Sequence, residues 1–313
     1  MDIVFLGTAA FACPSLEALA GASEHRIFAV VTQPDRPAGR GGKLTAPPVK
    51  ETALRHRLLV LQPERVRDPS FVAWLRNARP ELIVVIAYGQ ILPKEVLDLP
   101  RHGCVNVHGS LLPKYRGASP IQAALLHGET ETGVTTMFMD EGLDTGDIIL
   151  QSRVQIEPAD DASTLQDRLA WEGAKLLLKS ITLITCGEAT RTKQDDAQAT
   201  MCKKLRKEDG RIDWRMPAGA IWNRVRAFNP WPSAYCYLRL ERGQKLVKIW
   251  EADVVPEVSG EPGSVVRLDK HGIVVATGGG GLRIRQLQME GGRRQRADEF
   301  IRGHEVRVGM AFE

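Results

Sequence analysis

The first half of the chain alternates short apolar runs, rich in residues that favour strands, with stretches of helical composition. Predicted strands cover residues 3–7, 27–33, 58–62, 82–88 and 105–108, and predicted helices cover residues 14–19, 49–57, 70–78 and 121–127. The run 82–86 is apolar at every position, as in a strand covered on both faces. This alternation predicts an α/β domain with a doubly wound, mostly parallel sheet.

The sequence argues against two familiar nucleotide sites. Ligands of doubly wound sheets lie beyond the carboxyl ends of the strands. Here the turn reads Gly-Thr-Ala-Ala-Phe over residues 7–11, without the GxGxxG pattern, and the chain has no GxxxxGK[ST] motif. A dinucleotide cofactor or a P-loop nucleotide is therefore poorly supported.

The pattern changes after a predicted long helix at residues 163–184. Residues 187–206 are polar, carry mixed charge and lack a sustained apolar period, which is typical of a linker. A helix at 218–228 is then followed by short alternating runs at residues 234–240, 245–250, 263–268, 272–277 and 282–288. We expect a catalytic domain at 1–187, a linker at 188–205 and a small OB-like β-barrel at 206–313.

The basic residues are concentrated in the second half. Residues 203–313 hold 21 Lys and Arg against 14 Asp and Glu, a net charge of +7, whereas residues 1–202 have a net charge of −3. Such a confined surplus is expected of a module that binds a polyanion, and small barrels often bind oligonucleotides. A solvated basic surface explains the charge alone equally well.

Cysteine spacing and apolar run length indicate the compartment. The five cysteines are Cys13, Cys104, Cys186, Cys202 and Cys236, an odd and scattered set without a CxxC pair. We interpret them as reduced thiols rather than a disulfide framework or a zinc site. No apolar run reaches the ~18 residues of a membrane span, and no leader-like segment starts the sequence, so we expect a soluble cytoplasmic protein.

Two polar side chains share one face of the fifth predicted strand. Because side chains alternate along a strand, Val105 and Val107 point to one face, and Asn106 and His108 to the other. Gly109 follows and allows a ligand to approach the backbone closely. A lone strand histidine is more often a structural residue, but a second polar residue on the same face makes a functional site an equal alternative.

An acidic, glycine-rich segment follows a strand that ends at Met139. Residues 140–147 read Asp-Glu-Gly-Leu-Asp-Thr-Gly-Asp, and the two glycines favour a tight loop that can return a carboxylate towards His108. A plain turn is the alternative. The EF-hand spacing is absent, and one histidine beside these acids is weak support for a metal, so no metal is expected.

These two segments resemble the folate-dependent formyltransferases. VNVHGSLLPKYRG at 105–117 and MDEGLDTGDI at 139–148 match the family signature of Asn-x-His, Ser-Leu-Leu-Pro-x-x-Arg-Gly and Leu-Asp-Thr-Gly. The resemblance extends to residues 32–50, 84–97 and 226–234, and so covers nearly the whole chain. These additional segments are similar to the members of the family that act on aminoacylated tRNA.

The resemblance implies a Rossmann-like catalytic domain and a specific reaction. The enzyme would move the formyl group of 10-formyltetrahydrofolate to the α-amino group of methionine on initiator tRNA, for translation initiation. Asn106, His108 and Asp144 would be catalytic: Asn106 stabilises the tetrahedral oxyanion, His108 adds a hydrogen bond, and Asp144 orients His108 and relays the proton. We expect a monomer that binds tRNA and tetrahydrofolate, without a metal or a membrane.

The resemblance also implies the substrate contacts. Nine residues would line the tetrahydrofolate pocket: Ile86, Tyr88, Gly89, Ile91, Leu92, Ser110, Leu111, Leu112 and Pro113. The Pro/Gly-rich basic loop 34–49 would bind the tRNA acceptor end through Arg40, assisted by Arg36 and Lys43, and would become ordered on binding. Two departures from the family pattern are Ala9-Ala10 in place of Pro-Asp, and a single lysine in the Arg-Gly-Gly-Lys run.

Two other functions stay open at the level of sequence. The same formyl chemistry can serve a small acceptor, such as glycinamide ribonucleotide or a sugar amine, and would then not require residues 203–313 or the loop 34–49. Alternatively, the chain is a nucleic-acid-binding protein with a non-catalytic sheet domain, against which the set Asn106, His108 and Asp144 argues.

Overall fold

A computed structural model of the chain describes residues 1–38, 42–240, 243–304 and 306–313. The described residues form two compact units. Unit 1 comprises Met1–Pro120, Glu131–Gln155 and Gln166–Cys202. Unit 2 comprises Ile121–Thr130, Ile156–Leu165 and Lys203–Glu313. Within the residues that the structure describes, no helix combines the length and apolarity that crossing a bilayer needs.

Up to residue 202, the described part of the chain forms eleven strands and six α-helices. The strands are β1 Asp2–Gly7, β2 Arg26–Val31, β3 Arg36–Ala38, β4 Lys43–Thr45, β5 Val60–Leu61, β6 Leu82–Ile86, β7 Cys104–His108, β8 Arg116–Gly117, β9 Glu131–Phe138, β10 Ile148–Gln155 and β11 Met201–Cys202. The helices are α1 Cys13–Gly21, α2 Pro48–Arg55, α3 Pro69–Ala78, α4 Lys94–Leu97, α5 Pro120–Leu126 and α6 Ala162–Cys186. Of these, α5 belongs mostly to unit 2, as does the first turn of α6.

The main sheet of unit 1 has seven strands in the order β10-β9-β7-β6-β1-β2-β5. The five strands β7, β6, β1, β2 and β5 pair in parallel with their neighbours in this order. Strands β9 and β10 extend the sheet beyond β7 with antiparallel pairing. All five residues of β6 are buried, as expected for a central strand covered on both faces. The prediction of a mostly parallel, doubly wound sheet is confirmed.

The carboxyl ends of β1, β2 and β6 are tied together by side chains. Strand β6 ends at Ile86, two residues before its predicted end, because Ala87 has a positive φ of 46° and leaves the strand direction. The carbonyl of Tyr88 then accepts hydrogen bonds from Thr8 Oγ1 and Gln33 Nε2, both at 2.8 Å. These bonds fix the loop after β6 beside the turn after β1.

Much of the predicted linker belongs to unit 1. Strand β11 pairs in parallel with β8, and a 3₁₀ turn at Asp196–Gln198 precedes it. Arg116 N–H donates to the carbonyl of Thr200 at 2.8 Å, which continues this pairing. These hydrogen bonds join residues more than 80 positions apart, so the local composition of the segment could not predict the pairing.

Unit 2 is built on a mainly antiparallel sheet. Its helices are α7 Ala218–Ala227 and α8 Ala297–Gly303, and its strands are β12 Ala234–Leu240, β13 Gly243–Val255, β14 Val265–Asp269, β15 Gly272–Ala276, β16 Gly281–Met289 and β17 Gln295–Arg296. The strand order is β12-β13-β16-β15-β14, and β17 pairs with β16. Its core includes Ile221, Cys236, Ile249, Ile284 and Phe300, all 0–1% exposed. All five strands predicted in this half are present.

The chain end contacts both outer strands of that sheet. Tyr237 in β12 donates its N–H to the carbonyl of Glu313 at 2.8 Å and accepts the N–H of Glu313 in return at 2.7 Å. Val265 in β14 donates its N–H to the carbonyl of Met310 at 2.8 Å. The last four residues therefore bond to β12 on one side and β14 on the other.

Candidate functional site

Strand β7 carries Asn106 and His108 on one face and buried valines on the other. Val105 and Val107 pack into the interior, as the alternation of the strand requires. Asn106 is partly buried, and His108, the last residue of β7, is 6% exposed. Both side chains thus lie at the carboxyl end of a parallel strand, where ligands of such sheets bind.

The loop between β9 and β10 brings Asp144 to these two side chains. Asp144 Oδ1 lies 3.5 Å from Asn106 Nδ2, and Asp144 Oδ2 lies 3.7 Å from His108 Nδ1. The same Oδ2 accepts the backbone N–H of Gly117 at 2.8 Å. An amide, an imidazole and a carboxylate that are far apart in sequence therefore meet in one place.

The hydrogen bonds of His108 define which ring nitrogen can exchange a proton. His108 Nε2 lies 2.9 Å from the carbonyl oxygen of Tyr115. A carbonyl only accepts, so we assign the proton of the neutral ring to Nε2. Nδ1 faces the carboxylate of Asp144, so it is the nitrogen at which a proton can be taken up or released. A proton taken up at Nδ1 would turn this contact into an ion pair with the carboxylate.

Two glycines allow the chain segments around Asp144 to approach closely. A Cβ at Gly117, where φ is +120°, would overlap the carbonyl oxygen of Cys202. A Cβ at Gly146 would overlap the carbonyl oxygen of Phe138. Gly117 binds the Asp144 carboxylate through its N–H, and Gly146 lies two residues after Asp144, so the geometry of the site depends on both.

Gln194 is a site neighbour that sequence analysis missed. Its Nε2 donates to the carbonyls of Asp144 and Gly146, each at 2.8 Å, and its Oε1 accepts from Arg116 Nε at 3.0 Å. It lies in the predicted linker, to which the sequence assigned no functional residue. The sequence indicated Arg116 only as part of the family motif and assigned no function to it.

The first group of predicted folate residues lies around the loop after β6. Ile86, Tyr88 and Leu92 are buried, whereas Gly89 is exposed with φ of +82° and Ile91 is 83% exposed. The Tyr88 side chain belongs to the core of unit 1, and burial raises the pKa of its hydroxyl to about 12. Of these five predicted residues, Gly89 and the side chain of Ile91 are therefore the ones available to a ligand.

The second group follows β7 directly. Ser110 and Leu112 are buried, while Leu111 and Pro113 are partly buried. Ser110 Oγ donates to the carbonyl of Lys114 at 2.6 Å, and Thr135 Oγ1 donates to the carbonyl of Ser110 at 2.7 Å. The segment 110–113 is thus fixed by internal hydrogen bonds before any ligand arrives.

Two of the three predicted tRNA contacts lie on a short hairpin. Arg36 in β3 and Lys43 in β4 are exposed, and the two strands pair antiparallel. At the base of the hairpin, Asp35 accepts from Lys50 Nζ and Gln62 Nε2, each at 2.8 Å, and these bonds lower the pKa of Asp35. Arg40 lies outside the described residues.

Thiols and acids near the site show no metal-like grouping. Across residues 1–38, 42–240, 243–304 and 306–313, no group of three or more His, Cys, Asp and Glu could hold a metal ion. All five cysteines are free. Cys202 lies 3.4 Å from the carbonyl of Tyr115, and burial raises the pKa of its thiol, with Asp144 contributing.

Comparison with known proteins places the chain in a family. Residues 1–181 match the formyl transferase family model, and residues 204–305 match the model of the formyl transferase C-terminal domain. The chain is 48% identical over 310 residues to the methionyl-tRNA formyltransferase of Geobacter metallireducens, and the match covers 99% of this chain and 98% of the relative.

Solved structures with low sequence identity share the fold. The N-formyltransferase of Helicobacter canadensis, in complex with folinic acid and dTDP-3-aminofucose, matches with a TM-score of 0.64 at 20% identity, over 92% of this chain and 99% of that one. HypX from Aquifex aeolicus in complex with tetrahydrofolic acid matches with a TM-score of 0.62 at 17% identity. That match covers 96% of this chain but 46% of HypX, so the chain spans about half the length of HypX. With both domain models matched in order, the chain belongs to the formyl transferase family.

Proposed function

We propose that this protein transfers the formyl group of 10-formyltetrahydrofolate to the α-amino group of methionine on initiator tRNA. The convergence of Asn106, His108 and Asp144 supports formyl transfer as the chemistry. Similarity at 48% identity, across almost the full length, to a protein named methionyl-tRNA formyltransferase supports the acceptor. Because the acceptor is aminoacyl-tRNA, the proposal includes a cytoplasmic location, and we further propose that the protein acts as a monomer.

Asn106 suits the stabilisation of an oxyanion. Attack of an amine on the formyl carbon produces a tetrahedral intermediate with a negatively charged oxygen, which a preorganised donor stabilises. The amide of Asn106 carries two hydrogens, and Asp144 Oδ1 can accept only one of them. The other hydrogen is available to the oxyanion, and the contact with Asp144 fixes its direction.

His108 suits removal of the proton from the attacking amine. Its Nε2–H is committed to the carbonyl of Tyr115, which leaves Nδ1 as the base. Asp144 faces Nδ1 at 3.7 Å and stabilises the imidazolium that forms. The proton can then pass to the folate nitrogen as that nitrogen leaves, so the amine proton lost and the leaving-group proton gained are balanced.

The loop after β6 and the segment after β7 fit a folate donor. Gly89 exposes its backbone, Ile91 offers an exposed apolar side chain, and segment 110–113 is held by its own hydrogen bonds. A pteridine ring can bind to backbone groups along one edge and to apolar side chains over its face. The donor supplies the activated formyl carbon, and no metal is required for that chemistry.

Unit 2 suits the binding of tRNA. Tyr235, Lys248 and Gln288 are register partners across β12, β13 and β16, so they share the face opposite the core. On β13, Trp250 lies under two cations, with Lys248 Nζ at 5.7 Å and Arg294 Cζ at 5.1 Å from its ring centroid. Aromatic rings can stack on nucleic-acid bases, and neighbouring cations can bind phosphates.

We also propose that the sheet of unit 2 is an OB-like barrel. The support is that residues 310–313 bond to β12 through Tyr237 and to β14 through Val265, which would close the sheet through the chain end. Closure of this kind protects two sheet edges from pairing with other chains. A closed barrel would present the face that carries Lys248, Trp250 and Arg294, here called the basic face, as a fixed surface.

An acceptor comparison tests the proposed function. The purified protein is incubated with labelled 10-formyltetrahydrofolate and, separately, with initiator Met-tRNA, glycinamide ribonucleotide and a dTDP-linked amino sugar. We expect label on Met-tRNA and none on the two small acceptors. Transfer only to a small amine would overturn the acceptor assignment, and tRNA binding without any transfer would overturn the enzyme assignment.

A further inference from the structure

Asp144 has a backbone conformation that hydrogen bonds within its own loop do not explain. Asp144 has φ of 55°, in the left-handed region that non-glycine residues rarely adopt. Residues 141–143 before it are exposed, and Leu143 is 54% exposed. The side-chain hydrogen bonds within the loop go to Asp140 Oδ1, from Gly142 N–H at 3.0 Å and Thr145 Oγ1 at 2.7 Å, and do not reach the backbone of Asp144. Restraints on Asp144 therefore have to come from outside the loop.

Gln194 supplies those restraints through a single amide group. Its Nε2 donates to the carbonyl of Asp144 and to the carbonyl of Gly146, each at 2.8 Å. A primary amide has two N–H groups, so both bonds form at the same time. They hold the peptide groups that follow Asp144 and Gly146, and thereby fix the direction in which the Asp144 side chain leaves the backbone.

Arg116 sets the orientation of that amide. Its Nε donates to Gln194 Oε1 at 3.0 Å, and because a guanidinium only donates, the amide oxygen must face it. The Arg116 side chain is 7% exposed, and its NH2 group pairs with Asp196 at 2.7 Å. The next residue, Gly117, donates its backbone N–H to Asp144 Oδ2. One short strand therefore restrains both the amide and the carboxylate.

We infer that Gln194, oriented by Arg116, is a positioning residue that holds Asp144 against Asn106 and His108 for formyl transfer. The inference rests on the proposed function and assigns to it a residue outside the family motif. The hydrogen bonds of Gln194 go to the loop that carries Asp144, so its effect on the reaction passes through Asp144. Removing its two donated bonds frees the loop without removing any group that reacts.

Gln194→Glu is the direct test. The substitution keeps the shape and the contact with Arg116, but places a carboxylate oxygen against two carbonyl oxygens. We expect kcat to fall about 10- to 100-fold, with KM for donor and tRNA within about twofold. Gln198→Glu is the matched control, because Gln198 is exposed and its side chain donates to Asp195 on the same segment. Its kcat should stay within about twofold of wild type.

A double-mutant cycle separates positioning from a general structural role. If Gln194 acts through Asp144, Gln194→Glu should lower kcat no further in an Asp144→Asn background. Multiplying effects in the double variant would overturn the inference. Should Gln194→Glu fail to fold, Gln194→Met removes the same two donors without adding charge, and a normal kcat in that variant would overturn it as well.

Hydrogen exchange tests the same inference without relying on activity. Amides of residues 139–147 should exchange at least tenfold faster in Gln194→Glu than in Gln198→Glu, while the rest of the sheet is unchanged. Equal exchange in the two variants would overturn the positioning role. If the wild-type protein did not formylate Met-tRNA but the two variants still differed in exchange, the proposed function would be refuted. The role of Gln194 in holding the loop of Asp144 would be retained.

Discussion

Asp144→Asn removes the negative charge of the site and nearly keeps its shape. The amide has nearly the volume of the carboxylate and keeps an oxygen that can accept the N–H of Gly117, at 2.8 Å in the wild type. What it removes is the negative charge 3.7 Å from His108 Nδ1, together with the acceptor for Asn106 Nδ2. That charge matters most after Nδ1 has taken the proton of the amine, when the imidazole is a cation.

The size of the effect follows from the distance between the two groups. Opposite unit charges about 4 Å apart, at an effective dielectric constant of about 20, attract by about 4 kcal/mol. Since about 1.4 kcal/mol corresponds to a factor of ten in rate, losing this stabilisation of the charged state should lower kcat about 1,000-fold. Because Asp144 is proposed to act after the substrates bind, the affinity for tRNA should change by less than about twofold.

Single-turnover formylation at saturating donor measures this effect. The matched control is Asp147→Asn on the same loop, whose carboxylate pairs at 3.9 Å with Arg191, an exposed side chain. The control should retain activity within about threefold, because exposed ion pairs contribute little. A rate for Asp144→Asn within tenfold of wild type would refute the electrostatic argument.

Three further predictions concern the core, the loop and the tRNA surface. Burial raises the pKa of Tyr88 from 10 to about 12. The stability that the protonated hydroxyl contributes is therefore complete below pH 10 and is lost as pH rises towards 12. In alkaline unfolding, Tyr88→Phe should become more stable than wild type by up to about 3 kcal/mol. Equal pH dependence would contradict this. Gly146→Ala should lower kcat at least tenfold, because its Cβ overlaps the carbonyl of Phe138, and normal kinetics would disprove the tight packing of that turn. The dissociation constant for tRNA should rise steeply with salt concentration. For each phosphate contacted, we expect about one logarithmic unit per tenfold increase in salt. A dissociation constant that does not change with salt would exclude the basic face as a tRNA surface.

The parallel sheet was predictable because its signals are local. Strand β6 is apolar at all five positions, and β7 alternates in the way that a strand with one polar face must. The shared face of Asn106 and His108 therefore follows from residue order alone. The end of β6 could not be placed, because Ala87 adopts a positive φ that its residue type does not indicate.

The restraint on Asp144 could not be predicted because its partners are distant in sequence. Strand β11 has two residues, and its partner β8 lies 85 positions earlier in the register Met201 to Arg116. Such a pairing leaves no periodic pattern, so residues 187–206 had the composition of a connection. The place of Asp144 itself came from the family resemblance, since an acidic glycine loop alone is equally typical of a turn. The exposure of Ile91 and the burial of Tyr88 likewise depend on tertiary packing.

The most direct test is the rate of label transfer from 10-formyltetrahydrofolate to bound initiator Met-tRNA in Asn106→Ala and His108→Ala, measured beside tRNA affinity. If these side chains stabilise the oxyanion and take up the amine proton, the rate should fall about 100- to 1,000-fold while the dissociation constant of tRNA stays within about twofold. Rates close to that of wild type would show that the formyl group is transferred elsewhere or by other residues.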